Sequence, residues 1–131
     1  SEMCIRDRTQ TGHINVSCPE LTAVDLVENE KSVGGLNRVC TVLNELAETM
    51  DLNSLDDSFF KTSAIPVFQR LGYILEHVLE RADLAETLYS KMEAAGLKFR
   101  KIPFKINKPT EGCEVDKKWK VIINQEIEID E

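Results

Sequence analysis

The sequence lacks the long apolar runs of membrane and secreted proteins. No uninterrupted run of apolar residues exceeds four, whereas a membrane helix needs about 20 and a signal peptide needs a continuous apolar core. We therefore predict a cytoplasmic protein with no membrane partner.

Cysteine and histidine are too dispersed to predict a metal site. The four cysteines are Cys4, Cys18, Cys40 and Cys113. No two of them form a Cys-x-x-Cys pair, and His13 and His77 are also far apart, whereas structural zinc sites use clustered ligands. Isolated cysteines in a reducing compartment act mainly as small apolar residues, so we predict no metal and no cofactor.

The sequence also lacks a recognisable catalytic motif, and we predict that the protein is not an enzyme. Gly34 and Gly35 precede a helix, but they have neither the lysine and serine of a phosphate-binding P-loop nor the spacing of a dinucleotide-binding motif. A flexible turn is the better interpretation. Glu111, Asp116 and Lys118 faintly resemble the two acids plus lysine of magnesium-dependent nucleases.

What the sequence does contain is typical of one globular domain. Its 131 residues are 42% hydrophobic and 30% charged, a composition unlike that of disordered chains. A chain of this length is long enough to bury roughly two-thirds of its unfolded surface.

The spacing of apolar residues predicts an α+β fold. The clearest helix covers residues 36–50, where one core-facing stripe repeats every three or four positions. The stripe consists of Leu36, Val39, Cys40, Leu43, Leu46, Ala47 and Met50. Residues 99–106 and 119–123 alternate as strands do. We predict four or five helices around one core and a small antiparallel sheet, built largely from the C-terminal segment (residues 97–124) with a short strand at residues 14–16.

The charges are unevenly distributed along the chain. Residues 1–96 carry a net charge of −8, the C-terminal segment carries +5, and the last seven residues carry −4. The basic segment indicates one of two things. It is a surface that contacts nucleic acid or an acidic partner, or it is a sheet face whose lysines are exposed to solvent. The candidate contact residues are Arg100, Lys101, Lys105, Lys108, Lys117 and Lys118.

Five short segments, in this order along the chain, resemble the C-terminal domain of the AbiEi family. They are PELTAVDL (residues 19–26), GGLNRV (34–39), VFQRLGYIL (67–75), FRKIP (99–103) and KWKV (118–121). The resemblance covers residues 13–131 and depends on the order of the segments, since none is diagnostic alone. AbiEi proteins are the antitoxins and autorepressors of bacterial type IV toxin–antitoxin systems.

The resemblance implies a repressor of two parts and a toxin as its functional partner. Family members carry an N-terminal winged helix-turn-helix that binds operator DNA, and no such segment is present here. We therefore expect residues 9–131 to be the antitoxin domain alone, with operator DNA bound through the missing half and aided by the basic residues. The toxin implied by the resemblance is nucleotidyltransferase-like, and the antitoxin opposes its action without forming a stable complex with it.

The first eight residues resemble the translated adapter sequence found at the ends of metagenomic reading frames. We therefore expect residues 1–8 to be a non-native leader, excluded from fold reasoning. On this interpretation the natural protein extends upstream.

Two other function classes remain alternatives to an antitoxin. A protein-interaction module would bind acidic proteins through the basic residues of the C-terminal segment, in a salt-sensitive way. A magnesium-dependent nuclease would lose its activity when Asp116 is changed to alanine.

Overall fold

The computed structural model describes residues 18–50, 52–54, 57–106, 108–125 and 127. These residues form five α-helices: α1 (Cys18–Glu28), α2 (Glu30–Val33), α3 (Leu36–Leu46), α4 (Ile65–Tyr73) and α5 (Ala82–Ala94). They also form two 3-10 helices (Leu52–Ser54 and Asp57–Lys61), a π turn (Ile74–Val78) and two strands, β1 (Ile102–Pro103) and β2 (Val121–Ile122). No helix among the described residues is long and apolar enough to cross a membrane.

Helix α3 begins where two glycines let the chain change direction. Gly34 and Gly35 have φ angles of 116° and 98°, in a region that residues with a Cβ rarely adopt. The stripe predicted for residues 36–50 is buried, except that Leu46 is half-buried. The helix ends at Leu46 rather than at residue 50, but the turn that follows keeps the last two stripe residues in the core.

The core forms around α4, which contacts α1, α5 and β2. Pro66 lies in the first turn of α4, where a proline loses no helical hydrogen bond. The ring of Phe68 lies 5.3 Å from Phe59 and 5.2 Å from Phe60, at the inclined angles that aromatic pairs prefer. The five α-helices of the described residues share this one core, which confirms the helical part of the fold prediction.

The sheet is parallel, so the prediction of an antiparallel sheet is wrong. β1 pairs with β2 in a register that places Ile102 beside Val121 and Pro103 beside Ile122. The amide of Phe104 continues the ladder by donating to the carbonyl of Ile122 at 2.9 Å. Each strand has only two residues, so both are shorter than the alternating ranges in the sequence indicated.

A long connection explains why the strands run in the same direction. β1 and β2 are separated along the chain by residues 104–120, a connection of the length that parallel pairing requires. On its return the chain passes the other side of β2, where Val115 forms an antiparallel bridge with Ile122. Apolar alternation predicts which face of a strand is buried, but it does not predict the direction of the neighbour. The strand predicted at residues 14–16 lies outside the described residues.

We predict that Leu43→Ala lowers the free energy of unfolding by about 2–5 kcal/mol. Leu43 is fully buried on α3, so the truncation removes apolar contacts and leaves a cavity. Denaturant unfolding measures the loss, and Asn44→Ala at the next, exposed position of the same helix is the control. A loss below about 0.5 kcal/mol for Leu43→Ala, the range of surface substitutions, would contradict the assignment of this stripe to the core.

Candidate functional site

One tryptophan fixes the C-terminal segment to α4. Trp119 is fully buried, and its ring lies directly on Gly72 in the last turn of α4. A Cβ placed on Gly72 would be 2.2 Å from two ring carbons of Trp119, Cη2 and Cζ3. That separation is far shorter than any van der Waals contact, so only glycine allows this approach.

A buried glutamine holds the same segment by its backbone. Nε2 of Gln69 donates to the carbonyl of Arg100 at 2.8 Å and to the carbonyl of Trp119 at 2.7 Å. Gln69 is fully buried, where the loss of these hydrogen bonds would leave polar groups unpaired at considerable cost. Its Oε1 has no partner among the described residues. The two hydrogen bonds donated by the Gln69 side chain therefore connect α4 with the C-terminal segment.

The π turn after α4 places Glu76 against the C-terminal segment. In a π turn each hydrogen bond spans five residues rather than four, and such turns are frequent at functional sites. Oε1 of Glu76 accepts from Nζ of Lys118 at 2.9 Å and from the indole Nε1 of Trp119 at 3.2 Å. Lys118 also forms an ion pair with Glu86 of α5. One ammonium group thus joins the π turn, α5 and the C-terminal segment.

A second polar contact connects the π turn with the residues just before β2. Nε2 of His77 lies 2.9 Å from Oδ1 of Asp116, and Oδ2 of Asp116 accepts from the backbone amide of Trp119 at 2.7 Å. Both carboxylate oxygens of Asp116 are therefore engaged. The His77 side chain is 41% exposed and that of Asp116 is 12% exposed, so this contact lies at the edge of the buried cluster.

The pKa values of Glu76 and Lys118 reflect their pairing. Desolvation raises the pKa of Glu76, but hydrogen bonds from Lys118 and Trp119 outweigh it and hold the pKa below its usual value. Desolvation lowers the pKa of Lys118, but hydrogen bonds to Glu86 and Glu76 outweigh it and hold the pKa above its usual value. The two shifts agree that both groups stay charged, as expected for an ion-paired cluster.

Two of the predicted contact residues, Lys117 and Lys118, line a groove beside this cluster. The groove has a volume of about 210 Å³ and lies between α5 and the C-terminal segment. Tyr89, Phe99 and Lys120 line it as well. Lys117 and Lys120 are exposed, whereas Lys118 is half-buried because it reaches inward to its two carboxylates.

Two other predicted contact residues are engaged elsewhere in the fold. Nζ of Lys105 lies 2.8 Å from Oε1 of Glu30 on α2, and this carboxylate is buried. Nζ of Lys108 donates to Oε1 of Gln125 at 2.8 Å. The backbone carbonyls of both lysines accept from the side-chain amide of Asn124, so Asn124 organises this loop.

The last two predicted contact residues, Arg100 and Lys101, are exposed and directly precede β1. Since Ile102 is in register with Val121, these two residues and Lys120 lie at the same end of the sheet. The six candidates therefore lie in three places. Lys117 and Lys118 lie at the groove, Lys105 and Lys108 bind Asn124 through their carbonyls, and Arg100 and Lys101 directly precede β1. Their role as contact residues stays a prediction.

The acids of the nuclease alternative do not meet at a metal site in the part of the chain that the structure describes. Asp116 is engaged by His77 and by the amide of Trp119, and Glu111 is exposed in a turn. Within that part of the chain, no group of three or more His, Cys, Asp and Glu residues is placed to hold a metal ion.

Three residues that build this site were not predicted from the sequence: Gln69, Gly72 and Glu76. A signal for Gly72 was present, because a glycine inside an apolar helix often marks a close packing contact. Gln69 and Glu76 carry no such signal, since their partners are 31 to 50 residues away along the chain.

Comparison with known proteins gives a family match over the first part of the chain. A family model described as the AbiEi antitoxin C-terminal domain matches residues 5–77. The match includes the first three of the five segments that carry the resemblance, together with Gly72 and Glu76, and the last two segments lie beyond it. Neither a curated protein nor a solved structure matches the chain.

We predict that Gly72→Ala lowers the free energy of unfolding by about 2 kcal/mol or more. Alanine gains about 1 kcal/mol in helix propensity, but forcing a methyl group into the Trp119 ring costs more, because ring or helix must move away. Denaturant unfolding followed by the emission of Trp119, the only tryptophan of the chain, measures both the stability and the burial of the ring.

Ser90→Ala is the control for this substitution, because Ser90 is exposed on α5 and its replacement adds helix propensity without a clash. In a Trp119→Phe background, followed by circular dichroism, the cost of Gly72→Ala should shrink because the ring is smaller. An unchanged or increased stability of Gly72→Ala would show that the ring does not rest on this glycine.

Proposed function

The chain belongs to the family of AbiEi antitoxin C-terminal domains, and on this premise we propose that it is the antitoxin domain of a type IV toxin–antitoxin system. An antitoxin implies a toxin as its functional partner. We propose that this toxin is nucleotidyltransferase-like and that the domain opposes it without forming a stable complex. The observation that carries the proposal is the family match over residues 5–77, which includes all of α1 to α4.

We also propose that the domain has no catalytic activity of its own, as antitoxins of this family are generally not enzymes. General acid–base catalysis needs a group with a pKa near the working pH. Glu76 and Lys118 instead hold each other in their charged forms, and Asp116 accepts from a backbone amide. These contacts support a structural role for the charged groups around Trp119.

We propose further that the intact antitoxin represses its own operon. A winged helix-turn-helix joined to this domain would bind the operator, and basic residues of the C-terminal segment would add phosphate contacts without sequence choice. Arg100, Lys101 and Lys117 suit this role because they are exposed. Lys105 and Lys118 suit it less well because they already neutralise carboxylates within the fold.

We predict that expression of this chain restores growth to bacteria that express the cognate toxin. Rescue should require the docked C-terminal segment, so Gly72→Ala should rescue less than Ser90→Ala at equal expression. Affinity purification of the tagged chain should not recover the toxin. Failure of the unmodified chain to restore growth would contradict the antitoxin proposal, and recovery of the toxin in a stable complex would contradict the type IV mechanism.

We predict that Lys101→Gln with Lys117→Gln weakens operator binding by the full-length repressor. If each lysine contacts one phosphate, the slope of log affinity against log salt should fall by about 0.9 per contact. Lys31→Gln with Lys61→Gln removes the same charge from exposed positions on the helical side of the chain and is the matched control. Equal salt slopes for the two double variants would contradict a role for the C-terminal segment in operator binding.

A further inference from the structure

The groove between α5 and the C-terminal segment has the features of a ligand site, and of its lining residues the proposed function uses only Lys117. It is lined by two aromatic rings (Tyr89 and Phe99), by Leu97 and Glu93, and by Lys117, Lys118 and Lys120. At about 210 Å³ it is smaller than the pockets of drug-sized ligands, which have volumes of about 300–1,000 Å³. Its size and open shape suit a single flat ring whose substituents remain in solvent.

Both aromatic rings of the groove pack against the buried Trp119. Phe99 stacks on the buried Trp119 with a centroid distance of 5.9 Å and an interplanar angle of 14°. Tyr89 meets both rings edge-on, with centroids 5.8 Å from Phe99 and 5.3 Å from Trp119. Phe99 and Tyr89 both line the groove while packing on the buried Trp119. A flat ligand would therefore meet a preformed aromatic surface.

The lysines of the groove differ in how far their charge is already neutralised. Lys118 is paired with Glu76 and Glu86, and its Nζ lies 4.9 Å from the centre of the Tyr89 ring. It therefore acts as a wall of the groove. Lys117 and Lys120 are exposed, and none of the contacts found among the described residues engages their ammonium groups. They are the charges available to an anion at the groove.

The backbone of Lys120 is held in a rare conformation. Its φ angle is 56°, in the left-handed region that residues other than glycine seldom adopt and that recurs at functional sites. This conformation lies between the buried Trp119 and the buried Val121 of β2. It lets both neighbours face the core while the lysine stays exposed beside the aromatic rings.

We propose that this groove binds single-stranded nucleic acid, with one base against Phe99 and Tyr89 and the adjoining phosphates on Lys117 and Lys120. Stacking on aromatic side chains beside lysines is the general mode of single-strand binding. The two aromatic rings favour this ligand over an acidic peptide, because every base offers a flat face for stacking. Glu93 lines the same groove, and its carboxylate can accept from the amino group of a base such as cytosine. Duplex DNA keeps its bases stacked inside the helix and cannot present one here.

The test measures binding of a short fluorescein-labelled oligocytidylate RNA to this chain by fluorescence anisotropy. Phe99→Leu should weaken binding about 5- to 150-fold, the effect of losing one stacked base. Tyr89→Phe keeps the ring and should bind nearly as the unmodified chain does. Lys117→Gln with Lys120→Asn should weaken binding and lower the salt slope by about 0.7 per lost phosphate contact. Asparagine suits position 120 because it tolerates a positive φ.

Controls separate this site from general charge attraction and from the antitoxin function. Lys31→Gln with Lys61→Gln removes the same charge outside the groove and should leave binding unchanged. Tyr89→Leu is the second ring variant in case Phe99→Leu disturbs the fold, which Trp119 emission reports. Since neither toxin nor operator is used, failure here leaves the antitoxin proposal intact.

Three results would overturn the single-strand proposal. The first is no measurable binding of the oligocytidylate by the unmodified chain. The second is a loss of binding in the lysine variant while both ring variants, Phe99→Leu and Tyr89→Leu, bind normally, which would leave charge attraction alone. The third is equal or tighter binding of a polyglutamate peptide or of duplex DNA.

Discussion

The contact between Trp119 and Gly72 is the constraint on which the placement of the C-terminal segment depends. A tryptophan buries roughly 150–250 Å² of surface, worth about 4–6 kcal/mol at roughly 25 cal/mol per Å². The same residue donates its indole N–H to Glu76 and its backbone N–H to Asp116, and its carbonyl accepts from Gln69. Packing and hydrogen bonding therefore specify one position for the ring, and β2 begins two residues later.

Ion pairs between the acidic first part of the chain and the basic C-terminal segment help to stabilise the fold. Residues 1–96 carry −8 and residues 97–124 carry +5, and the structure connects them through Lys105 with Glu30 and Lys118 with Glu76. Glu30 is buried and Glu76 is half-buried, so removing the lysine from either carboxylate would leave a charge whose desolvation is no longer compensated. The basic segment, which the sequence indicated to be either a contact surface or a solvated sheet face, thus also neutralises carboxylates of the helical part of the chain.

The sequence allowed the helical core to be predicted better than the sheet or the candidate site. A repeat such as that of α3 determines which side of a helix is buried, and α3 accordingly packs as expected. The parallel direction of β1 and β2 depends on the path of residues 104–120, which leaves no periodic signal. The site depends on Gln69, Gly72 and Glu76, whose partners lie at least 31 residues away, and local spacing cannot reveal contacts of that range.

The basic residues that stabilise the fold differ from those that remain available to a ligand. Lys105 and Lys118 are committed to carboxylates, whereas Lys101, Lys117 and Lys120 are exposed around the beginning of β1 and β2. Lys117 and Lys120 line the groove together with Tyr89 and Phe99, whose rings pack against Trp119. The packing that fixes Trp119 against α4 therefore also fixes the aromatic and basic surface beside it. A substitution at Gly72 that shifts the tryptophan would disturb that surface without touching any residue on it.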